Sequence, residues 1–249
     1  MNGENVNDLK IVFSDFDGTL TQGETLDKTF FEILSFLKSQ SLPLVIVTGR
    51  SKSWAHFLLT HIPYLEFVLS EGGGVLSKVE LHEGSRHLKD ELLVSEEDVA
   101  YLADTTRELQ ESLNLELSVD SFGRQTDRAI ELSSLKDLNK RNALKELLTE
   151  KGLTYSTSSV HLNFWKGDIS KIKGIEFFLK NYTSYSLEEC IYFGDSLNDE
   201  SVFKGMTNTV GVSNLLKVID RLKYKPQIIL GGTENEGPKG VLSHLRSLK

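Results

Sequence analysis

The sequence predicts an α/β protein in which a parallel sheet with crossover helices is interrupted by an inserted α+β domain. Solidly apolar runs, typical of strands buried on both faces, alternate with helical periodicity near the N-terminus and again after Gly167. Between these regions, polar and apolar residues alternate, as they do in half-exposed antiparallel strands. We therefore expect a core of residues 1–75 and 166–249 and an inserted domain of residues 76–165.

Composition and charge are those of a globular protein without a nucleic-acid partner. The 249 residues are 39% hydrophobic and 26% charged, which argues against disorder and fibrous folds. Lys and Arg total 28 against 36 Asp and Glu, and the formal charge of -8 has the wrong sign for broad binding of nucleic-acid phosphates. The single cysteine, Cys190, can form no internal disulfide and lies in an apolar run typical of a buried strand.

Targeting signals and membrane spans are not evident. The first residues, MNGENVNDLK, are polar and acidic, unlike a secretory signal or a transit peptide. No segment approaches the ~18 apolar residues that a bilayer span needs. Together with the lone cysteine, these features predict a cytoplasmic protein with no membrane partner.

The first half of the core shows the order strand, helix, strand, helix, strand. Apolar runs at 11–13, 44–47 and 67–69 predict the three strands. Apolar residues recur at helical spacing over 26–37, and a second helix begins near residue 51. This alternation indicates a parallel sheet with crossover helices.

The inserted domain is predicted to contain two copies of the same unit, a helix followed by two half-exposed strands. The duplication is one of pattern only, because the letters of the two halves do not repeat. In chain order the predicted elements are a helix at 96–113, strands around 115–119 and 130–132, a helix at 135–151, and strands at 153–155 and 160–164.

The parallel sheet is expected to resume after the insertion. A helix carrying Ile175 and Phe178 leads to strands at 190–193, 209–212 and 228–230. A closing helix follows Gly237 and Pro238, with apolar residues on one face that would pack on the core.

Polar side chains follow three of the predicted parallel strands. Ligands bind at the carboxyl ends of the strands in open α/β sheets, so these residues are the first candidates for function. Several carboxylates around one cleft repel each other unless a cation lies among them, and an all-oxygen set suits Mg²⁺. The residues at the three strand ends are Asp15, Asp17, Thr48, Asp195, Asn198 and Asp199.

Asp15 and Asp17 would share one face of a regular strand, but Gly18 allows the chain to turn and separate the two carboxylates. The two groups could then take different roles. Taken alone, an Asp-Gly pair would be as consistent with a simple turn or a helix cap as with a metal site.

Three motifs resemble those of the haloacid-dehalogenase superfamily, which contains phosphatases that use an aspartate nucleophile. They are DFDGTLT at 15–21, VTGR at 47–50 and GDSLND at 194–199, and the order of elements matches over the whole chain. The resemblance implies a Rossmann-like core carrying an inserted cap domain.

The resemblance implies a role for each catalytic residue. Asp15 matches the nucleophile that forms an aspartyl-phosphate, and Asp17 matches the acid that protonates the leaving group and then activates water. Thr48 matches a hydroxyl that binds phosphoryl oxygens, and a lysine supplies positive charge to the transition state. Gly49 and Asn198 are further candidates for phosphate binding.

For the metal, the resemblance implies Mg²⁺ held by Asp195, by the Asp15 carboxylate and by the backbone carbonyl of Asp17. Asp199 would hold a metal-bound water or orient the lysine.

The identity of that lysine is open between Lys171 and Lys173. A Lys-Gly pair is frequent in the superfamily, which favours Lys173. Helical register favours Lys171, because counting from it places Ile175 and Phe178 at apolar positions, while Asp168 or Ser170 could cap the helix. We prefer Lys171.

The insertion lies after the second motif, and its doubled pattern resembles the caps of phosphatases acting on trehalose phosphate, sucrose phosphate or mannosyl-phosphoglycerate, and of phosphomannomutase. That architecture implies a small phosphorylated sugar or polyol as substrate. Arg could clamp an anion and Trp could stack on a sugar ring, although the same residues could equally face outward or pack in the core. The candidate substrate contacts are Arg50, Arg124, Arg128, His161, Asn163 and Trp165.

Glu71 and the three glycines after it could be taken for a phosphate-binding loop. They lack the lysine and the spacing of a nucleotide loop, which favours a tight exit into the inserted domain. Superfamily members often have Asn-Gly here, so the departure argues against a substrate contact at this loop. His56 and His61 have no partner at metal-ligand spacing and are expected to be surface or packing residues.

The sequence thus predicts a Mg²⁺-dependent phosphomonoesterase that hydrolyses a small phosphorylated metabolite through an aspartyl-phosphate. One alternative is a phosphosugar mutase, which returns the phosphoryl group to a sugar. Another is a non-catalytic sensor of phosphorylated ligands. The sensor is disfavoured, because Asp15 and Asp17 are both present.

Overall fold

The computed structural model describes residues 9–23, 25–157 and 161–248. The strands are β1 (Ile11–Ser14), β2 (Leu44–Val47), β3 (Phe67–Ser70), β4 (Val75–His82), β5 (Ser85–Leu92), β6 (Asp127–Glu131), β7 (Thr154–Thr157), β8 (His161–Trp165), β9 (Cys190–Gly194), β10 (Thr209–Gly211) and β11 (Ile228–Ile229). The helices are α1 (Lys28–Ser39), α2 (Lys52–His61), α3 (Glu96–Leu113), α4 (Leu138–Glu150), α5 (Lys171–Tyr182), α6 (Glu200–Gly205) and α7 (Pro238–Ser247).

The core is an eight-stranded sheet in the order β11-β10-β9-β1-β2-β3-β4-β5. Strands β11 to β3 in this order are parallel, which confirms the predicted α/β core with crossover helices. Strands β1, β2 and β9 are adjacent, so their carboxyl ends lie side by side at one edge of the sheet.

Helices cover both faces of the sheet. Successive strand residues point to opposite faces, so Val12 packs with the apolar side of α1, α2 and α7, whereas Ile11 and Phe13 pack with α5 and α6. This explains why β1 and β2 consist of apolar residues at nearly every position, since both of their faces are buried.

The β4–β5 hairpin belongs to the main sheet, although it lies within the segment expected to be inserted. β4 pairs antiparallel with β3, and β5 pairs with β4 along its whole length. Polar and apolar residues alternate along the hairpin because it forms the exposed edge of the core sheet. This alternation alone does not distinguish a sheet edge from a separate domain. The division at residues 76–165 stays a prediction, and the pairing favours a later beginning, after Leu92.

The inserted region packs α3 and α4 on an antiparallel three-stranded sheet in the order β6-β8-β7. The strand expected around 115–119 does not form. Residues 115–118 are irregular and a short 3-10 helix covers Val119–Gly123, where the Ser118 hydroxyl donates to Asp120 at 2.6 Å. Leu115 and Leu117 still pack in the core of this region, so their spacing reflects packing rather than a strand. Val160 lies outside the described residues.

Two sequence expectations concern the chain as a whole. Cys190 is buried at the start of β9, where burial raises the pKa of its thiol to about 12. Within the described ranges, the helices are all too short or too polar to cross a bilayer.

Candidate active site

Three carboxylates from two adjacent strands meet at the carboxyl edge of the sheet. Asp15 follows β1, and Asp195 and Asp199 follow β9. One oxygen from each of Asp15, Asp195 and Asp199 lies within 4.8 Å of the other two. Asp15 and Asp199 are buried, so their mutual repulsion is poorly screened and a nearby positive charge would reduce it.

Lys171 supplies a positive charge to this cluster. Its Nζ lies 2.8 Å from Asp15 Oδ1 and 2.6 Å from Asp199 Oδ1, and its side chain is 2% exposed. Ser170 is the N-cap of α5, which makes Lys171 the first helical residue and aims it at the end of β1. Lys173 is exposed and pairs with Asp168 instead. The structure therefore brings Lys171, and not Lys173, to Asp15.

Burial dominates the acid–base properties of the cluster. It raises the pKa of Asp15 to about 7, against the opposing effect of Lys171. Burial, followed by the charge of Asp15, also raises the pKa of Asp195 well above its usual range. Burial alone would lower the pKa of Lys171, but the carboxylates of Asp15 and Asp199 raise it above its ordinary value, so the amine remains charged.

Asp199 connects the lysine to the loop that carries Asp195. Its Oδ2 accepts hydrogen bonds from the backbone N–H groups of Asp195 and Ser196 at 2.9 and 3.0 Å. Its Oδ1 accepts from Lys171 and from the hydroxyl of Tyr192. Burial raises the pKa of Tyr192 well above its usual value, so the hydroxyl stays protonated and donates.

The loop after β1 is shaped by Gly18, which has φ +77. A Cβ at this position would lie 2.5 Å from Asp195 Oδ2, so only glycine allows the loop to approach Asp195. The approach is completed by Asn214, whose Nδ2 donates to the Gly18 carbonyl at 2.8 Å and to Asp195 Oδ2 at 2.6 Å. Thr19 donates to the other oxygen of Asp195 at 3.2 Å.

Asp17 has a different partner from Asp15, which pairs with Lys171. Its carboxylate forms a two-point ion pair with Arg50, with Nε to Oδ2 at 2.8 Å and Nη2 to Oδ1 at 2.7 Å. The Arg50 guanidinium also lies over the ring of Trp54, 4.9 Å from its centroid. In this conformation Arg50 occupies both oxygens of Asp17.

The second motif contributes backbone as well as side chains. Thr48 is buried at the end of β2, and its hydroxyl accepts from the Arg50 backbone N–H at 3.0 Å. Gly49 and Asn198 face each other, because a Cβ on Gly49 would lie 3.9 Å from Asn198 Nδ2. Asn198 also accepts from the Ser196 hydroxyl at 2.9 Å.

A cavity of about 470 Å³ opens over these residues, between the core and the inserted region. Thr48, Lys171 and Asp199 are buried and are not among the described residues that line it. The core side of the lining includes Asp15, Asp17, Gly49, Arg50, Asp195 and Asn198.

Three of the candidate substrate contacts in the inserted region line this cavity. His161 and Asn163 on β8 face it, with His161 Nε2 2.9 Å from Glu131 and Asn163 Nδ2 2.9 Å from Asp127. The third is Arg124. Arg128 donates to backbone carbonyls nearby, and neither it nor Trp165 appears among the described lining residues.

Arg124 is buried and already paired. Its guanidinium binds Asp120 and Asp127, with N–O distances of 2.8 Å, and also donates to the backbone carbonyl of Gly49 at 3.1 Å. It therefore joins the inserted region to the second-motif loop, instead of being aimed at an anion in the cavity.

Glu71 makes a second junction of this kind. The residue is 1% exposed and accepts from the backbone N–H groups of Gln125 at 2.9 Å and Thr126 at 2.6 Å, and from the Thr126 hydroxyl at 2.8 Å. Burial, followed by the charge of Asp127, raises the pKa of Glu71. This loop thus contacts the inserted region, and Glu71 is not among the described lining residues of the cavity.

Sequence reasoning missed three residues of this site. Asn214 follows β10, and the same expectation of polar groups at the ends of parallel strands would have identified it. Glu71 was recognised as unusual but not as a contact to the inserted region. Tyr192 lies inside an apolar run, where no sequence signal marks its hydroxyl as part of a charged cluster.

Residues 12–131 and 118–223 match the model of the haloacid dehalogenase-like hydrolase family. The chain belongs to this family, whose members are mostly phosphatases. No curated protein sequence matches the chain.

Solved structures share the fold at low identity. A Thermoplasma acidophilum protein has a TM-score of 0.73 at 14% identity, covering 96% of this chain and 99% of its own. A haloacid dehalogenase-like hydrolase from Bacteroides thetaiotaomicron has a TM-score of 0.69 at 18% identity, and the alignment covers 95% of this chain and 99% of that one. The sucrose-phosphatase of Synechocystis, in complex with sucrose and phosphate, has a TM-score of 0.66 at 16% identity, and the alignment covers 96% of this chain and 97% of that one.

Proposed function

We propose that the protein is a Mg²⁺-dependent phosphomonoesterase in which Asp15 is the nucleophile. The observation that supports this most directly is the position of Asp15, which lines the cavity while Lys171 and Asp195 contact or flank its carboxylate. A buried carboxylate beside a fixed ammonium group is oriented for attack, and the ammonium group compensates the charge of an incoming phosphate.

In the proposed reaction, a carboxylate oxygen of Asp15 attacks the phosphorus atom as the bond to the leaving oxygen breaks. Asp17 donates its proton to that oxygen, and the product is an alcohol and an aspartyl-phosphate. Water then attacks the phosphorus, gives its proton to Asp17 and releases inorganic phosphate from Asp15. For the first step Asp17 must leave the ion pair with Arg50, so the described conformation precedes catalysis.

The residues at the strand ends fit Mg²⁺. The donor set is all oxygen, the carboxylates of Asp15 and Asp195 approach closely, and burial raises the pKa of both in the metal-free chain. These two carboxylates and the backbone carbonyl of Asp17 would hold the ion. When bound, it supplies positive charge that offsets the negative phosphoryl oxygens.

The substrate class we propose is a phosphorylated sugar or a similar polyol. The cavity volume of about 470 Å³ suits a small metabolite. The inserted region lines the cavity with His161, Asn163 and Thr157, which are hydrogen-bonding side chains of the kind that recognises hydroxyls. The similar fold of the Synechocystis sucrose-phosphatase agrees with this proposal at the level of architecture.

A phosphate-release assay tests the function. Wild-type protein is incubated with p-nitrophenyl phosphate and with a panel of sugar phosphates, in Mg²⁺ and in EDTA. We expect Mg²⁺-dependent release of inorganic phosphate, and we expect Asp15→Asn to fold but to abolish turnover. Retained turnover in Asp15→Asn would remove Asp15 from the nucleophile role.

Two other outcomes would replace the proposal. Transfer of the phosphoryl group to a second sugar, with no accumulation of inorganic phosphate, would indicate a mutase. Binding of sugar phosphates by calorimetry without any release would indicate a sensor.

A further inference from the structure

The side chain of Tyr192 brings a hydroxyl group into the charged cluster formed by Lys171 and Asp199. It lies on β9, between Phe13 of β1 and Thr209 of β10, and its side chain is fully buried. The ring packs edge-to-face on Phe203, with centroids 6.2 Å apart, among apolar residues. A phenylalanine could make the same packing contacts, so the hydroxyl requires a separate explanation.

That hydroxyl contacts two residues of the site. It donates to Asp199 Oδ1 at 2.5 Å, and it lies 3.4 Å from Lys171 Nζ. Asp199 Oδ1 therefore accepts from both the tyrosine and the lysine, while Asp199 Oδ2 is held by the backbone after β9. The Ser196 hydroxyl also donates to Oδ2 at 3.5 Å, so these bonds restrict the orientation of the Asp199 carboxylate.

The orientation of Asp199 determines where the lysine amine lies. Lys171 Nζ pairs with Asp15 and with Asp199 and also donates to the Tyr192 hydroxyl at 3.4 Å, on a flexible four-carbon chain. Without the tyrosine hydroxyl, Asp199 Oδ1 would lose a donor and the space beside Nζ would be enlarged. The amine could then move away from Asp15 together with Asp199. Its positive charge would no longer face the phosphoryl group.

We propose that Tyr192 is a positioning residue, which holds the Lys171 amine against Asp15 by donating its hydroxyl to Asp199. The inference rests on the proposed function only in assigning Lys171 to the phosphoryl group. The hydroxyl touches neither the cavity nor Asp15 in the described residues.

The test compares Tyr192→Phe with a matched control. Tyr64→Phe also removes one hydroxyl, which donates to the Leu42 carbonyl far from the site. Calorimetry measures the affinity for inorganic phosphate at constant Mg²⁺, and steady-state kinetics measure kcat and KM. We expect Tyr192→Phe to bind phosphate about tenfold more weakly and to lower kcat/KM about tenfold or more, while remaining folded at the assay temperature. Tyr64→Phe should leave kcat, KM and phosphate affinity unchanged.

Phosphate affinity equal to wild type in Tyr192→Phe would overturn the proposal, whatever the activity. Absence of turnover in wild type and in Tyr64→Phe would instead overturn the proposed function, and the binding comparison would still decide the role of Tyr192. Tyr192→Met, which also lacks the hydroxyl, should give the same deficit as phenylalanine. A deficit in one variant alone would assign the effect to packing and overturn the proposal.

A double-mutant cycle tests whether the effect passes through Asp199. In the Asp199→Ala background, which removes both carboxylate oxygens, Tyr192→Phe should change phosphate affinity less than twofold, because the acceptor through which the hydroxyl acts is absent. The full tenfold effect in that background would contradict action through Asp199.

Discussion

Two lysines, two residues apart on α5, have opposite surroundings. Lys171 is buried between Asp15 and Asp199, whereas Lys173 is exposed beside Asp168. A helix advances about 100° per residue, so a shift of two positions moves a side chain to the other side of the helix. The pairing of Lys171 explains why its charge can be buried at all.

The two lysines give a matched pair of variants. Lys171→Met should lower kcat by about 10²–10³, because it removes a preorganised positive charge from the phosphoryl site. Lys173→Met should stay within twofold of wild type. Kinetics with p-nitrophenyl phosphate measure both, and an equal loss in the two variants would show that the position of Lys171 beside Asp15 is not what matters.

At the scale of elements, the loop after β3 is bound to the beginning of β6. Glu71 accepts the N–H groups of Gln125 and Thr126, and Arg124 reaches back to the carbonyl of Gly49. These bonds join the core to the inserted region on the side of the second motif.

Removing Glu71 should therefore loosen this junction. In Glu71→Ala the buried N–H groups of 125 and 126 lose their acceptor, and we expect the free energy of unfolding to fall by about 2–3 kcal/mol. Hydrogen exchange at 125–127 should become faster. Glu83→Ala is the control, because Glu83 has φ 51, near the φ 53 of Glu71, but is exposed. The control should change stability by less than about 0.5 kcal/mol. Equal effects of the two variants would assign the loss to backbone conformation.

The stability of the whole molecule should depend on pH, because the site and this junction contain carboxyl groups with a raised pKa. Burial raises the pKa of Asp15 to about 7 and raises the pKa of Asp195 and of Glu71. Between the ordinary carboxyl pKa near 4 and these raised values, the folded chain binds protons that the unfolded chain does not. Without metal, the free energy of unfolding should therefore fall as pH rises from about 4 to about 7.

Mg²⁺ should reverse this trend, because it binds ionised carboxylates and competes with their protons. In thermal unfolding experiments, saturating Mg²⁺ should raise Tm by about 5 °C or more at pH 8, and by less than half as much at pH 5.5. Asp195→Asn should reduce the shift at pH 8. The same Mg²⁺ shift at both pH values would contradict a site made of these carboxylates.

Much of this protein could be predicted from sequence. The apolar runs and the helical periodicity between them predicted the parallel core, and most helices and strands begin within a few residues of the expected positions. The three motifs identified the family, which the match over residues 12–131 and 118–223 bears out. These features are local, because strand burial, turns and motif spacing are written in neighbouring residues.

Only the tertiary structure decided the contacts that cross the fold. It paired Asp17 with Arg50, placed β4 and β5 on the core sheet, replaced the strand expected around 115–119 with a turn, and used Glu71 to bind the inserted region. Tyr192 is the clearest case, because an apolar run predicts a buried ring but cannot show which charges its hydroxyl meets. Such contacts join residues distant in the chain, and their energies depend on distance and burial, which sequence patterns do not specify.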